Sequence, residues 1–138
     1  MRVLLQEGMK VDVISDTFTI HTDQPYSAGG TQTAPAPYEL FLASLAACAG
    51  FYVKRYCQTR GIPETGIKLT QELVPGDDGR LGTIRIRIHL PSDFPVEHEA
   101  AVQRAAAHCA VKKTISNPPT FEIVNVQHRL LQSPGGVQ

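Results

Sequence analysis

The sequence predicts an α+β domain whose helices lie on an antiparallel sheet. Three features carry that expectation. Apolar and polar residues alternate with a period of two in stretches near both ends and in the middle of the chain. A run of helical length starting near residue 38 has almost no polar positions, and the pieces follow one another as strand, long helix, hairpin, helix, strand. At 138 residues the chain has the length of one typical domain, so residues 1–138 are expected to share one core, with residues 133–138 as a flexible tail.

Lys10 to His21 alternates apolar with polar residues and is rich in β-branched side chains, the signature of one or two strands. A polar loop rich in Gly, Thr, Gln and Pro follows from Thr22 to Ala36. Pro37 suits the first turn of a helix, where its missing N–H would have no partner anyway, and Gly61 suits the position just past the end. Arg55 and Arg60 near that end complement the helix dipole, so a helix is expected from about Tyr38 to Arg60. Ile67–Val74 and Leu81–Leu90 alternate cleanly around the turn residues Pro75–Gly79 and predict a β-hairpin with Ile84, Ile86, Ile88 and Leu90 on the packed face. Arg85, Arg87 and His89 fall on the other face, a solvated one. Pro95 opens a second helix expected to run through about Lys113, and Thr120–His128 reads as a final strand.

Bulk properties exclude several classes of function. Thirteen basic residues balance thirteen acidic ones, and no basic run is interleaved with aromatics, so no nucleic-acid partner is expected. The uncharged run from Leu40 to Val53 is shorter than the ~20 residues that cross a bilayer, and the opening residues MRVLLQEGMK are too short and too soon charged for a signal peptide, so the expected location is cytoplasmic, away from membranes. Three cysteines without CxxC spacing do not form the framework of a secreted, disulfide-stapled domain.

The long helix has no wet side. From Leu40 to Val53 every direction around its axis is apolar or small, whereas a surface helix opposes an apolar stripe with a charged one. Such a helix must be covered all round, and a chain of this length with one modest sheet covers only part of it, which points to self-association. Cys48 lies well past the first turn, where burial alone would raise its pKa, so a reactive Cys48 requires a cation brought from elsewhere. Phe41, Ser44, Leu45, Phe51, Tyr52 and Arg55 share its face of the helix, Arg55 roughly 10 Å along the axis. Cys57 lies about 180° round and ~13 Å away and reads as core packing. Cys109 sits in Ala105-Ala-Ala-His-Cys-Ala-Val111, small enough to press against the first helix, so Cys48 and Cys109 could meet. The set Cys48, Cys109, His108 and His98 matches no common zinc spacing, and no metal is expected.

Pro37-Tyr-Glu-Leu-Phe-Leu-Ala-Ser-Leu-Ala-Ala-Cys48, followed some sixty residues later by His108-Cys-Ala-Val111, resembles the OsmC/Ohr superfamily of two-cysteine organic hydroperoxide reductases, over about Lys10 to Gln127. The resemblance implies the OsmC-like fold, an intertwined homodimer with antiparallel sheets wrapped around long central helices. It also implies that Cys48 attacks an organic hydroperoxide, that Cys109 resolves the sulfenic acid to a disulfide, and that a dithiol reductant reopens it with no cofactor. Phe41, Leu45, Phe51 and Tyr52 would then form a greasy substrate site. The pattern departs from the family's peroxidase branches at Tyr38, where those branches carry a glutamate that orients an activating arginine. Glu39 comes one position late and about 180° from Cys48, and Arg2 and Lys10, the only basic residues before the helix, do not match that arginine. The departures leave a second reading, a non-peroxidatic redox-sensing or small-ligand-binding dimer.

Overall fold

A computed structural model describes residues 1–126. Strands β1 (Arg2–Leu5), β2 (Val11–Ile14) and β3 (Thr19–Thr22) form an antiparallel sheet in the order β1-β2-β3, with Val3 opposite Val13 and Val13 opposite Ile20. Lys10 to His21, expected to form one or two strands, forms two, β2 and β3. β1 was not foreseen, because Arg-Val-Leu-Leu does not alternate.

The loop from β3 to the long helix is tied to one buried carboxylate. Asp23 accepts from the backbone N–H groups of Gln24 (2.8 Å), Thr31 (3.1 Å) and Thr33 (3.1 Å) and from the hydroxyls of Thr31 (2.7 Å) and Thr33 (3.0 Å). The Thr31 hydroxyl foremost, with the other donors, outweighs the opposing effect of burial and holds this carboxyl well below the usual carboxylate range. Gly30 crosses so close to Gln24 that a Cβ there would stand 1.9 Å from its carbonyl oxygen, so only glycine fits.

Helix α1 spans Pro37–Gln58. Proline occupies its first turn, and Glu39 Oε2 accepts from the Ala36 N–H at 2.8 Å. At the other end Gly61, with φ 65°, turns the chain so that the Ile62 N–H returns to the Cys57 carbonyl at 3.0 Å and Ile62 enters the core. The buried residues of α1 are Leu45, Ala49, Val53 and Cys57, a single stripe at four-residue spacing. Val53, Cys57, Ile62, Phe94 and Val102 make up the core.

Strands β4 (Lys68–Pro75) and β5 (Leu81–His89) pair as the expected hairpin, with Leu69 opposite Ile88, Gln71 opposite Ile86 and Leu73 opposite Ile84. The amide of Gln71 donates to the Leu42 carbonyl at 3.2 Å and ties the hairpin to α1. On the solvated face Glu72 pairs with Arg85 at 3.0 Å and Arg87 at 2.7 Å.

The second helix differs from expectation. In place of one helix through Lys113 there are two, α2 (Val96–Ala106) and α3 (Ala110–Ser116), broken where Cys109 takes φ −45° and ψ 119°. The alanine-rich sequence favours a continuous helix. Packing overrides it, since Cys109 is only 2 % exposed and α3 lies against α1. The final strand expected over Thr120–His128 is not formed in Thr120–Val126, and Gln127, His128 and the tail lie outside the described residues. A strand needs a ladder partner, and none in the described residues reaches this segment. Phe121 and Ile123 are accordingly 87 % and 94 % exposed.

Candidate functional site

Two of the three thiols meet where α1 crosses the break between α2 and α3. Cys48 is half-buried at the border between the buried stripe of α1 and its open face. Cys109 is the residue capping α3, its Sγ accepting the Lys112 N–H at 3.4 Å. A sulfur in this place does what a serine hydroxyl does at other helix starts, occupying one of the donors that the first turn leaves free. The break brings the first N–H groups of α3, those of Val111 and Ala110, near enough to Cys48 to favour its thiolate.

This arrangement polarises the pair. Burial pushes Cys48 up, but the Cys109 thiol and the N–H groups of Val111 and Ala110 favour its thiolate and leave it below the ordinary thiol value. Burial pushes Cys109 up, its contact with Cys48 adds to that, and the N–H groups of Lys112 and Val111 only partly offset them. The surroundings thus favour a thiolate at Cys48 over one at Cys109. The sequence called for a cation at Cys48; what acts on it among the described residues is a set of neutral donors.

Cys57 takes no part. It is fully buried among Val53, Phe94 and Val102, and burial, with Glu64 nearby, pushes its thiol up. The other candidates separate by position. Leu45 is buried beside the pair and lines a cleft of about 480 Å³ with Ala49, the β5 residues Ile84, Ile86 and Ile88, and Cys109, Lys112 and Ile115. Phe41, Phe51 and Tyr52 do not line it. Phe41 stacks on Tyr38 with ring centres 5.8 Å apart, while Phe51 meets the edge of Tyr52 at 5.4 Å, and both groups lie along the open side of α1. Tyr52 in turn faces His108 at 6.4 Å.

The Glu39 carboxylate accepts from the Ala36 N–H and caps α1, so it does not reach the thiol pair. His98 accepts or donates at Nδ1 to the Tyr56 hydroxyl at 2.8 Å, and Arg60 covers the Tyr56 ring at 3.9 Å. No group of three or more His, Cys, Asp or Glu side chains converges among the described residues, and no helix there is long and apolar enough to cross a membrane. The donors on Val111 and Ala110 escaped sequence reasoning because every residue but proline carries an N–H. The one available cue was a cysteine standing where a helix-capping serine could stand.

The fold and the thiol pair can be set beside known proteins. A protein of Psychrobacter arcticus described as an osmotic stress induced and detoxification response protein superposes with a TM-score of 0.68 at 22% identity, over 82% of this chain and 85% of that one. An OsmC-like protein of Mycoplasma pneumoniae gives 0.61 at 20% identity, over 85% and 86%. An organic hydroperoxide resistance protein OsmC of Legionella pneumophila gives 0.51 at 19% identity, over 83% and 85%. Among curated protein sequences none matches. The OsmC-like protein pattern matches residues 29–124, which contain α1, the hairpin, both short helices and both thiols of the pair, and the chain therefore belongs to the OsmC-like family of the OsmC/Ohr superfamily.

Proposed function

We propose that the protein reduces organic hydroperoxides with Cys48 and Cys109. The observation that carries this reading is the contact of Cys48 with Cys109 where α1 crosses the α2–α3 break, in surroundings that favour a thiolate at Cys48 over one at Cys109. The Cys48 thiolate attacks the outer oxygen of ROOH, the O–O bond breaks, and the alkoxide leaves as ROH after taking a proton, so that sulfur is oxidised to the sulfenic acid. Cys109 then attacks the Cys48 sulfur, a disulfide forms and water departs. Two electrons from a dithiol restore both thiols. No cofactor enters these steps. The aromatic side chains Phe41, Phe51 and Tyr52 on the open side of α1 suit an apolar peroxide better than hydrogen peroxide.

A homodimer belongs to the same reading. The open apolar side of α1 and the exposed Phe121 and Ile123 support a second copy as the missing cover, one that would wall the peroxide site over Phe41, Phe51 and Tyr52.

Turnover of an organic hydroperoxide with a dithiol present tests the activity. Wild type and Cys57→Ser are expected to consume it at similar rates, and Cys48→Ser not to. Equal turnover by wild type and Cys48→Ser would refute the reading, and a folded, dimeric wild type with no turnover would favour the ligand-binding alternative.

A further inference from the structure

Two adjacent cysteine sulfurs are also a pair of metal ligands, and their surroundings narrow the ion they suit. Cys48, half-buried on α1, meets Cys109 at the start of α3, so the two sulfurs reach the same place from different elements. No group of three or more His, Cys, Asp or Glu side chains forms there among the described residues. Cys109 is 2 % exposed, and Leu45 and Ala49 of α1 with Ile84 and Ile86 of β5 line the cleft on its side. Structural zinc takes four ligands, and calcium and magnesium take oxygens, so two sulfurs in an apolar wall serve none of them. Thiolates select soft ions, monovalent copper among them.

We propose that the reduced Cys48 and Cys109 form a two-coordinate site for monovalent copper. This goes beyond the peroxide chemistry above and does not rest on it. A soft ion with a filled d shell accepts two thiolates in a nearly linear arrangement and needs no harder third ligand. The resulting complex carries one net negative charge, and the break between α2 and α3 supplies the compensation. The N–H groups of Val111 and Ala110 lie near the Cys48 sulfur, the Lys112 N–H stands 3.4 Å from Cys109 Sγ, and Lys112 lines the cleft beside it. Such outer donors hold ligating sulfurs in place, and an apolar shell that limits water keeps copper in its monovalent state.

Binding is an exchange without oxidation. Copper enters as Cu⁺ and stays Cu⁺, one bond forms from it to each sulfur, and each sulfur that carried a proton releases it to solvent. Cys57 contributes nothing, being fully buried in the core with Val53, Phe94 and Val102. The site therefore takes one ion per chain.

The test titrates the reduced, intact protein, without oxygen, into the coloured complex of Cu⁺ with bicinchoninate. No peroxide is present, so failure here and failure of the peroxidase reading are distinguishable. Wild type is expected to withdraw one equivalent of copper per chain, and Cys57→Ser to do the same. Cys48→Ser and Cys109→Ser are expected to bind at least ~100-fold more weakly, because losing a ligand costs no less than losing an outer-shell partner. Wild type first oxidised with diamide is expected to withdraw none, a comparison that no folding defect of a variant can mimic. X-ray absorption at the copper edge is expected to show two sulfur neighbours and no nitrogen or oxygen. Copper left on the chelator by reduced wild type, affinity unchanged in Cys48→Ser or Cys109→Ser, equal withdrawal by the oxidised protein, or a third ligand at the copper edge would each overturn the proposal.

Discussion

Three side chains carry most of the chemistry and of the loop geometry: Cys48, Cys109 and Asp23. The Cys109 thiol is the largest of the groups that favour the Cys48 thiolate. Cys109→Ala is therefore expected to raise the pH at which Cys48 becomes reactive toward iodoacetamide, and Cys109→Ser, which keeps a donor, to raise it less. Identical pH profiles for wild type and Cys109→Ala would show that the backbone donors act alone. Asp23 makes a prediction about acid. Its folded value is depressed, so between about pH 4 and that lower value the unfolded chain binds a proton that the folded chain does not. The stability it contributes is complete above about pH 4 and is lost as pH falls further. Asp23→Asn is expected to be less stable at pH 7 and to show a weaker loss of stability in acid, as thermal melts across pH 2–7 would reveal.

Among the elements, those with a strong period were legible in the sequence and those defined by contact were not. α1 and the β4–β5 hairpin fall within two residues of expectation, because proline, glycine and alternation mark their ends. The break before α3 was hidden, since Ala105-Ala-Ala-His-Cys-Ala is a good helical sequence and only the packing of Cys109 on α1 interrupts it. The stretch Thr120–Val126 has the pattern of a strand but no ladder partner in the described residues, and pattern alone cannot supply one. The same division holds at the site: the spacing of Cys48 and Cys109 could be recognised, while the backbone donors that tune Cys48 could not. Because Cys109 caps α3, Cys109→Ala is expected to destabilise the protein by about 0.5–1 kcal/mol more than Cys109→Ser in denaturant unfolding. Equal stabilities would mean that the Lys112 N–H does not depend on that sulfur. Gly30→Ala is expected to weaken the fold as well, since its Cβ would collide with the Gln24 carbonyl.

For the molecule as a whole, the apolar sequence of α1 is only half accounted for by one chain: Leu45, Ala49, Val53 and Cys57 are covered, while Phe51 is 56 % exposed. Each large apolar side chain left in water forgoes about 1.5–3 kcal/mol of burial, and a second copy would recover it. Light scattering is expected to give twice the 15.0 kDa chain mass, with an unfolding midpoint that rises with protein concentration, and Leu45→Asp is expected to unfold the protein. A folded species of single-chain mass at micromolar concentration would contradict this. The central claim, a peroxide-reducing thiol pair, is tested most directly by a single turnover without reductant. Reduced protein mixed with a slight excess of an organic hydroperoxide is predicted to convert one equivalent per chain to the alcohol, to lose two of its three thiols, and to yield one peptide linking Cys48 to Cys109. Peroxide left unconsumed, or a link that joins Cys57 instead, would contradict it.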